Sequence, residues 1–282
     1  MAQFYAYDFI FDNIPSQKWD LKIITFEDGS LFNGVGSTDI NIITQRVLRK
    51  SKPYYLGRTQ EPVLEFPLTF GSAHEITAIE RDLISSWLFG RSTYKKLYIL
   101  QDDLQEIYFN CFMTKPEPLY IGGVNYAFTC QVVCDSPWAY NSERITSGSA
   151  YKKESTGVNF NIYNRSSEDE YLYPKIYFQV LEPTYPFPTQ IVWFVNNSDG
   201  GNSRIFNWNY LVENDRITVD NDLQIITGVN IASNGATFPI EGLLSKFTSK
   251  NWFRLIPGLN NISIYGSLYY EIKWTERLKI GG

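Results

Sequence analysis

A single histidine limits the acid–base chemistry open to this chain of 282 residues. Any Ser-His or Cys-His mechanism must use His74, which sits in Ser72-Ala-His-Glu75, a sequence that fits a helix-capping box. The first turn of a helix is usually solvated, so His74 reads as an exposed helix-start residue and not as a general base. The cysteines are Cys111, Cys130 and Cys134, an odd set that cannot join one histidine in a persuasive zinc site. Cys130 and Cys134 lie four apart in a strand-like stretch, on one face but too distant along it to bridge. They read as buried small hydrophobes. The acidic clusters Glu168-Asp-Glu170 and Asp102-Asp103 read as solvated turns rather than as a glycosidase pair. Gly34-Val-Gly36 and Gly122-Gly123 occupy turns with no helix following, so neither cradles a phosphate. No catalytic, cofactor-binding or metal site is expected, and the chain does not read as an enzyme.

Binding chemistry has two candidates. Arg46, Arg49, Lys50, Lys52 and Arg58 form a basic run interleaved with Tyr54 and Tyr55. Such a run can touch phosphates, but the chain as a whole carries a net charge of −5. A hairpin tip, or a charge contact between subunits, is the simpler reading, and no specific grip on nucleic acid is expected. Trp193, Trp208 and Trp252 form the second candidate, a platform for sugar rings. Core packing competes with that role, because a strand Trp is usually highly buried.

The elements that must position these groups are mostly strands. Aromatic residues make up 16% of the chain, with 20 Tyr and 19 Phe, which suits wide sheets and interfaces. The apolar, β-branched run Ile40–Leu48 and the resumed alternation at Val63–Phe70 flank the basic, Pro-containing segment. Together they predict a projecting hairpin over about 40–66. Ile76, Ile79, Leu83 and Trp87, widened by Ile84, predict one amphipathic helix over about 73–89 that ends at Gly90. Strands are predicted at Lys96–Leu100, Glu106–Phe112 and Tyr126–Cys134, and Gly122-Gly123 forms the turn before the last of them. Residues 141–157 are polar and poor in large hydrophobes, which marks them as the domain boundary. The second half predicts short strands and no helix, among them a hairpin turning at Asp220-Asn-Asp222 and a period-two face at Leu268, Tyr270, Ile272 and Trp274. That pattern indicates a β-sandwich. Met1–Asp8 has no basic, apolar leader, and no apolar run reaches the ~20 residues that span a bilayer, so neither secretion nor a membrane partner is expected.

Several stretches together resemble the distal tail proteins of siphophages. These are Phe66-Pro-Leu-Thr-Phe-Gly71, Glu80-Arg-Asp-Leu-Ile-Ser-Ser-Trp-Leu88, Pro116-Glu-Pro118 and Cys134-Asp-Ser-Pro-Trp-Ala-Tyr140 in the first half. Ile217-Thr-Val-Asp-Asn221, Phe253-Arg-Leu-Ile-Pro-Gly258 and Ile262-Ser-Ile-Tyr-Gly266 continue it in the second. The resemblance spans nearly the whole chain, and it is carried by order and spacing rather than by one motif.

The resemblance implies a ring-forming N-terminal β-sandwich over 1–140 with one helix and an embracing arm. It implies a C-terminal β-sandwich over 141–282, similar to galectins and carbohydrate-binding modules, with the last strand in some members returning to the first domain. It further implies a homo-hexameric ring at the distal end of the phage tail. That ring joins the tail tube protein to tail-associated, fibre or receptor-binding proteins. The arm residues Arg46, Arg49, Lys50, Lys52, Tyr54, Tyr55 and Arg58 would then serve the subunit interface. The rival expectations are a carbohydrate-binding receptor-recognition protein, using Trp193, Trp208 and Trp252, and a tail-associated glycan hydrolase.

Overall fold

Apolar alternation in short runs produces two separately cored β units. The computed structural model describes residues 8–24, 40–60, 63–101, 104, 106–151, 157–167, 170–181, 190–249 and 251–279. Gly34–Gly36, Asp102-Asp103, Glu168-Asp169 and the N-terminal Met1–Tyr7 lie outside them. One unit comprises Met1–Ser142 with Arg277–Gly282, and the other Glu143–Glu276.

The first unit contains β1 (Phe9–Phe11), β2 (Ile14–Pro15), β3 (Lys22–Ile23), β4 (Ile40–Gln45), β5 (Tyr54–Gln60) and β6 (Glu65–Gly71). After helix α1 (Ala78–Phe89) come β7 (Lys95–Ile99), β8 (Ile107–Ile121), β9 (Val124–Cys134) and β10 (Ala139–Asn141). The second unit contains β11 (Arg144–Ala150), β12 (Val158–Asn164), β13 (Lys175–Val180), β14 (Gln190–Asn196) and β15 (Phe206–Leu211). It continues through β16 (Asp215–Asp220), β17 (Ile225–Ile231), β18 (Thr237–Pro239), the single helical turn α2 (Leu243–Lys246), β19 (Gly258–Tyr265) and β20 (Leu268–Trp274). Then β21 (Arg277–Leu278) returns to the first unit, where it pairs with β10 through Ala139 opposite Leu278.

The main sheet of the first unit runs β2-β1-β7-β8-β9-β6-β3, with β10 joined to β8 and β21. Phe66, Leu68 and Phe70 of β6 stand opposite Val132, Cys130 and Phe128 of β9, and all six side chains are buried. Period-two alternation puts them on one face by geometry alone. Gly122 (φ +59°) and Gly123 (φ +88°) make the two-residue connection from β8 to β9, both in the left-handed region that such a hairpin demands. Pro116 falls where the register shifts between Thr114 and Glu117, so β8 continues through a bulge instead of ending near Phe112 as predicted. The motif at 134–140 closes the unit: Tyr140 Oη donates to Asp135 Oδ1 at 3.0 Å, and Asn110 Nδ2 donates to Asp135 Oδ2 at 2.6 Å.

The helix differs from its sequence expectation at its start and in its buried face. It begins at Ala78, capped by Thr77, whose Oγ1 accepts from Glu80 N at 3.3 Å while Glu80 Oε2 accepts from Thr77 N at 2.9 Å. Residues 72–76 are drawn instead onto β9, where Ser72 N donates to Tyr126 O and Ile76 N to Asn125 O. The predicted stripe is also rotated. Ile84, Trp87 and Leu88 are buried, whereas Ile79 is 75% exposed and Leu83 49% exposed. The side chains at i, i+3 and i+4 still share one face, but a neighbouring one.

The second unit packs two antiparallel sheets, β11-β20-β13-β16-β17-β18 and β12-β19-β14-β15, over an aromatic core. Trp208 is fully buried there, its ring 5.7 Å from Phe178 and 4.9 Å from Phe247. The stretch 141–157, read as the domain boundary for its polarity, contains the division between the units after Ser142 and also contributes β11, which pairs along its whole length with β20. It occupies the edge of its sheet, where a strand buries little and needs no hydrophobic run. The predicted turn at 220–222 falls at 221–224. Asn221, buried in that turn, donates to Pro174 O and accepts from Phe253 N, tying together the 217–221 and 253–258 motifs.

Candidate functional site

Strands β4 and β5 pair with each other and with no other described strand. Their register runs from Ile40 opposite Gln60 to Gln45 opposite Tyr54, with a shift after Ile43 that leaves Leu56 unpaired beside Gly57. At the tip, Lys50 N donates to Val47 O at 3.1 Å and Arg49 takes φ +69° to close the turn. A two-stranded hairpin alone is marginal in water. This one nonetheless presents large apolar groups: Leu48 is 88% exposed, Ile42 67%, Tyr55 64% and Leu56 60%. Apolar surface concentrated on a lone hairpin marks a contact surface.

The tip carries the basic run. Arg49, Lys50, Lys52, Tyr54 and Tyr55, with Ser51 and Pro53, line an open concavity of about 650 Å3. Lys50 Nζ contacts Tyr54 Oη, which joins the turn to the start of β5. Arg46 is exposed just before the turn. Arg58 lies further back on β5, opposite Ile42, and its side chain falls outside the described set. Sequence reasoning gave the arm its charges and tyrosines. It did not single out Ile42, Leu48 and Leu56, although an alternating apolar run with no core to face was the signal.

The remaining candidates do not converge. His74 precedes the helix rather than opening it, and its Nε2 lies 3.2 Å from Asp20 Oδ2 with both side chains largely exposed. Cys111, Cys130 and Cys134 are buried and unbridged, and burial pushes the Cys130 and Cys134 thiols up to about 12 and raises Cys111 further. No group of three or more His, Cys, Asp or Glu side chains gathers as a metal site among the described residues. No described helix is long and apolar enough to cross a membrane. The expected platform of three indoles is corrected by the core. Trp208 is inaccessible, and Trp252 is half-buried against Phe247 at 5.5 Å. Trp193 alone remains open, at 36% exposure.

Residues 4–136 match a family model described as a phage tail protein N-terminal domain. No curated protein matches the sequence. Among solved structures, the Dit protein (gp 19.1) of phage SPP1, described as a paradigm of the hub adsorption apparatus in phages infecting Gram-positive hosts, aligns with a TM-score of 0.65. The alignment covers 96% of this chain and 98% of that one at 13% identity. A chain of the phage P2 baseplate, in its activated conformation with Ca, aligns with a TM-score of 0.52 over 93% of this chain and 92% of that one at 9% identity. Family model and fold agree with the sequence resemblance to distal tail proteins.

Proposed function

We propose that this protein is a structural hub of the phage tail tip. In this reading six copies close a ring that joins the tail tube to the tail-associated, fibre or receptor-binding proteins beyond it. A closed ring needs a heterologous interface, in which one patch of each subunit docks on a different patch of the next. The arm supplies the first patch, and this observation carries the reading: a hairpin that pairs with no other strand among the described residues, with large exposed apolar side chains on its strands and a basic tip. Covering Leu48, Leu56 and Tyr55 with a neighbour removes apolar surface from water, while the charges at the tip set the register. The match of residues 4–136 to phage tail protein N-terminal domains supports placing the protein in the virion tail.

Light scattering on the purified protein and on a variant with residues 46–53 replaced by a two-residue Asn-Gly turn tests the reading. The intact chain should reach six times its 32.6 kDa mass over a range of concentrations, and the shortened arm should drop that mass toward one chain. Rings that survive loss of the tip would exclude the arm as the clasp.

A further inference from the structure

The two sheets of the second unit turn unlike faces to solvent. On the β13, β16 and β20 side, the outward positions include Lys175, Arg216, Asp220, Glu271 and Lys273, with ion pairs at 3.0 Å between Lys175 and Asp220 and between Lys273 and Glu271. That is an ordinary solvated sheet face. On β12, β19, β14 and β15, none of the outward positions carries a charge. Asparagine fills many of them, although asparagine is depleted in strands. A residue placed repeatedly against its own propensity on one face needs a reason beyond solubility.

The uncharged face is ordered in rows across the strands. In one row Tyr265 stands beside Trp193, and Trp193 beside Asn207. The two rings lie 5.5 Å apart at 57°. Gly157 makes the row possible, because a Cβ there would come within 2.9 Å of the Tyr265 ring. In the adjoining rows Asn197 Nδ2 donates to Asn261 Oδ1 at 2.8 Å and to Ser263 Oγ at 2.6 Å, and Asn261 Nδ2 donates to Asn161 Oδ1 at 3.0 Å. Ser263 Oγ also contacts Asn159 Oδ1. The chain of amides is thus fixed from within. It leaves the Nδ2 groups of Asn159 and Asn161 and the Oδ1 of Asn197 without a partner among the described residues. Asn207 Oδ1, buried beside Trp193, also has none.

From this juxtaposition we infer that the outer face of β12-β19-β14-β15 binds an uncharged saccharide, with the Trp193–Tyr265 pair as stacking platform and the Asn159–Asn161–Asn197 amides as hydroxyl readers. The chemistry selects the occupant. A sugar ring offers an apolar C–H face to an aromatic side chain and a rim of hydroxyls, each both donor and acceptor, to fixed amides. A few oriented polar groups beside an aromatic surface are the usual make-up of a small-ligand site. Nucleic acid would call for Lys and Arg, which this face lacks. The inference stands apart from the hub reading, since it concerns the second unit and does not need a ring. It replaces the three-indole platform expected from the sequence with one that keeps only Trp193.

The test applies the full-length protein to an array of uncharged oligosaccharides: α- and β-glucans, galactans and N-acetylglucosamine oligomers. The variants are Trp193→Ala, Trp193→Phe, Asn161→Ala and, on the opposite sheet, Lys175→Ala, with the solution mass of each followed by light scattering. At least one neutral glycan should be retained, with affinity lowered roughly tenfold or more by Trp193→Ala and by Asn161→Ala. Trp193→Phe should keep part of it, and Lys175→Ala all of it. With no charge on the face, raising salt from about 0.05 to about 0.5 M should leave retention unchanged. An array that retains nothing, or retention that survives Trp193→Ala, overturns the inference. So does a Trp193→Ala protein of altered oligomeric mass, which would assign the face to a protein neighbour. Whether the unaltered chain forms a ring is read separately from its own mass.

Discussion

The indole of Trp87 and the ring of Phe9 lie with their planes 3° apart and their centres 5.9 Å apart, joining the helix to the first described strand. Trp87 Nε1 also donates to Phe11 O at 3.0 Å, so one side chain both packs against β1 and satisfies its backbone. Buried indoles seldom leave that N–H unpaired.

Replacing Trp87 should therefore be among the most damaging changes in the first unit. Trp87→Ala is expected to cost about 3–5 kcal/mol by cavity formation. Trp87→Phe should cost less, mainly the hydrogen bond and the smaller ring. Urea unfolding followed by circular dichroism reads both; a Trp87→Ala midpoint equal to that of the unaltered protein would contradict the packing described.

The rotated helix face gives a paired comparison. Leu88 is buried and Leu83 is half in solvent. Leu88→Ala should lose about 2–5 kcal/mol, and Leu83→Ala should stay within about 0.5 kcal/mol in the isolated chain. Equal losses would restore the stripe read from the sequence.

In the second unit, Asp199 is clasped by Arg254 through Nε at 2.7 Å and Nη2 at 3.0 Å, with Arg204 Nε at 3.1 Å. The hydrogen bonds from Arg254 hold the Asp199 carboxyl below its ordinary value. A carboxyl depressed in the folded state stabilises the fold above its unfolded pKa of about 3.9, and that contribution is lost as pH falls through the lower folded value. Asp199→Asn should thus be less stable than the parent at neutral pH, by about 1.5–3 kcal/mol. The difference should shrink as acid is added below about pH 4. Thermal melts of both proteins over this range check it, and a gap that widens in acid would reverse the sign.

The three buried thiols should be silent to a thiol reagent in the native protein at pH ~8, because burial suppresses the reactive thiolate. All three should titrate in denaturant. Rapid labelling of even one native thiol would show that the β8–β9 core is more open than described.

Much of the fold was legible because its strands face one core each. Leu268, Tyr270, Ile272 and Trp274 alternate and are buried in that order. The arm was legible too, since a basic, Pro-bearing tip between apolar runs has few other uses. The helix start was not. Ser72-x-x-Glu75 and Thr77-x-x-Glu80 are both capping boxes in sequence, and hydrogen bonds from 72 and 76 to β9 decide between them. β11 was hidden because Ile145-Thr-Ser-Gly-Ser lies on an edge and looks like a linker. The saccharide face was hidden for a different reason: its asparagines come from three strands far apart in sequence, and only the register aligns them. Trp208 could not be told from Trp193 by residue type. One points between the sheets and the other away.

The chain leaves the first unit after Ser142 and rejoins it at Arg277, so that unit holds strands made before and after the whole of the other. On the ribosome the first unit must wait with β10 lacking one neighbour until the second has been synthesised. The second unit has both its ends tethered, and its entry strand β11 and exit strand β20 are paired, Arg144 opposite Trp274. It therefore behaves as a cassette. A sandwich of different specificity could be exchanged for it at those two crossings while the strand pairings of the host unit stayed as they are.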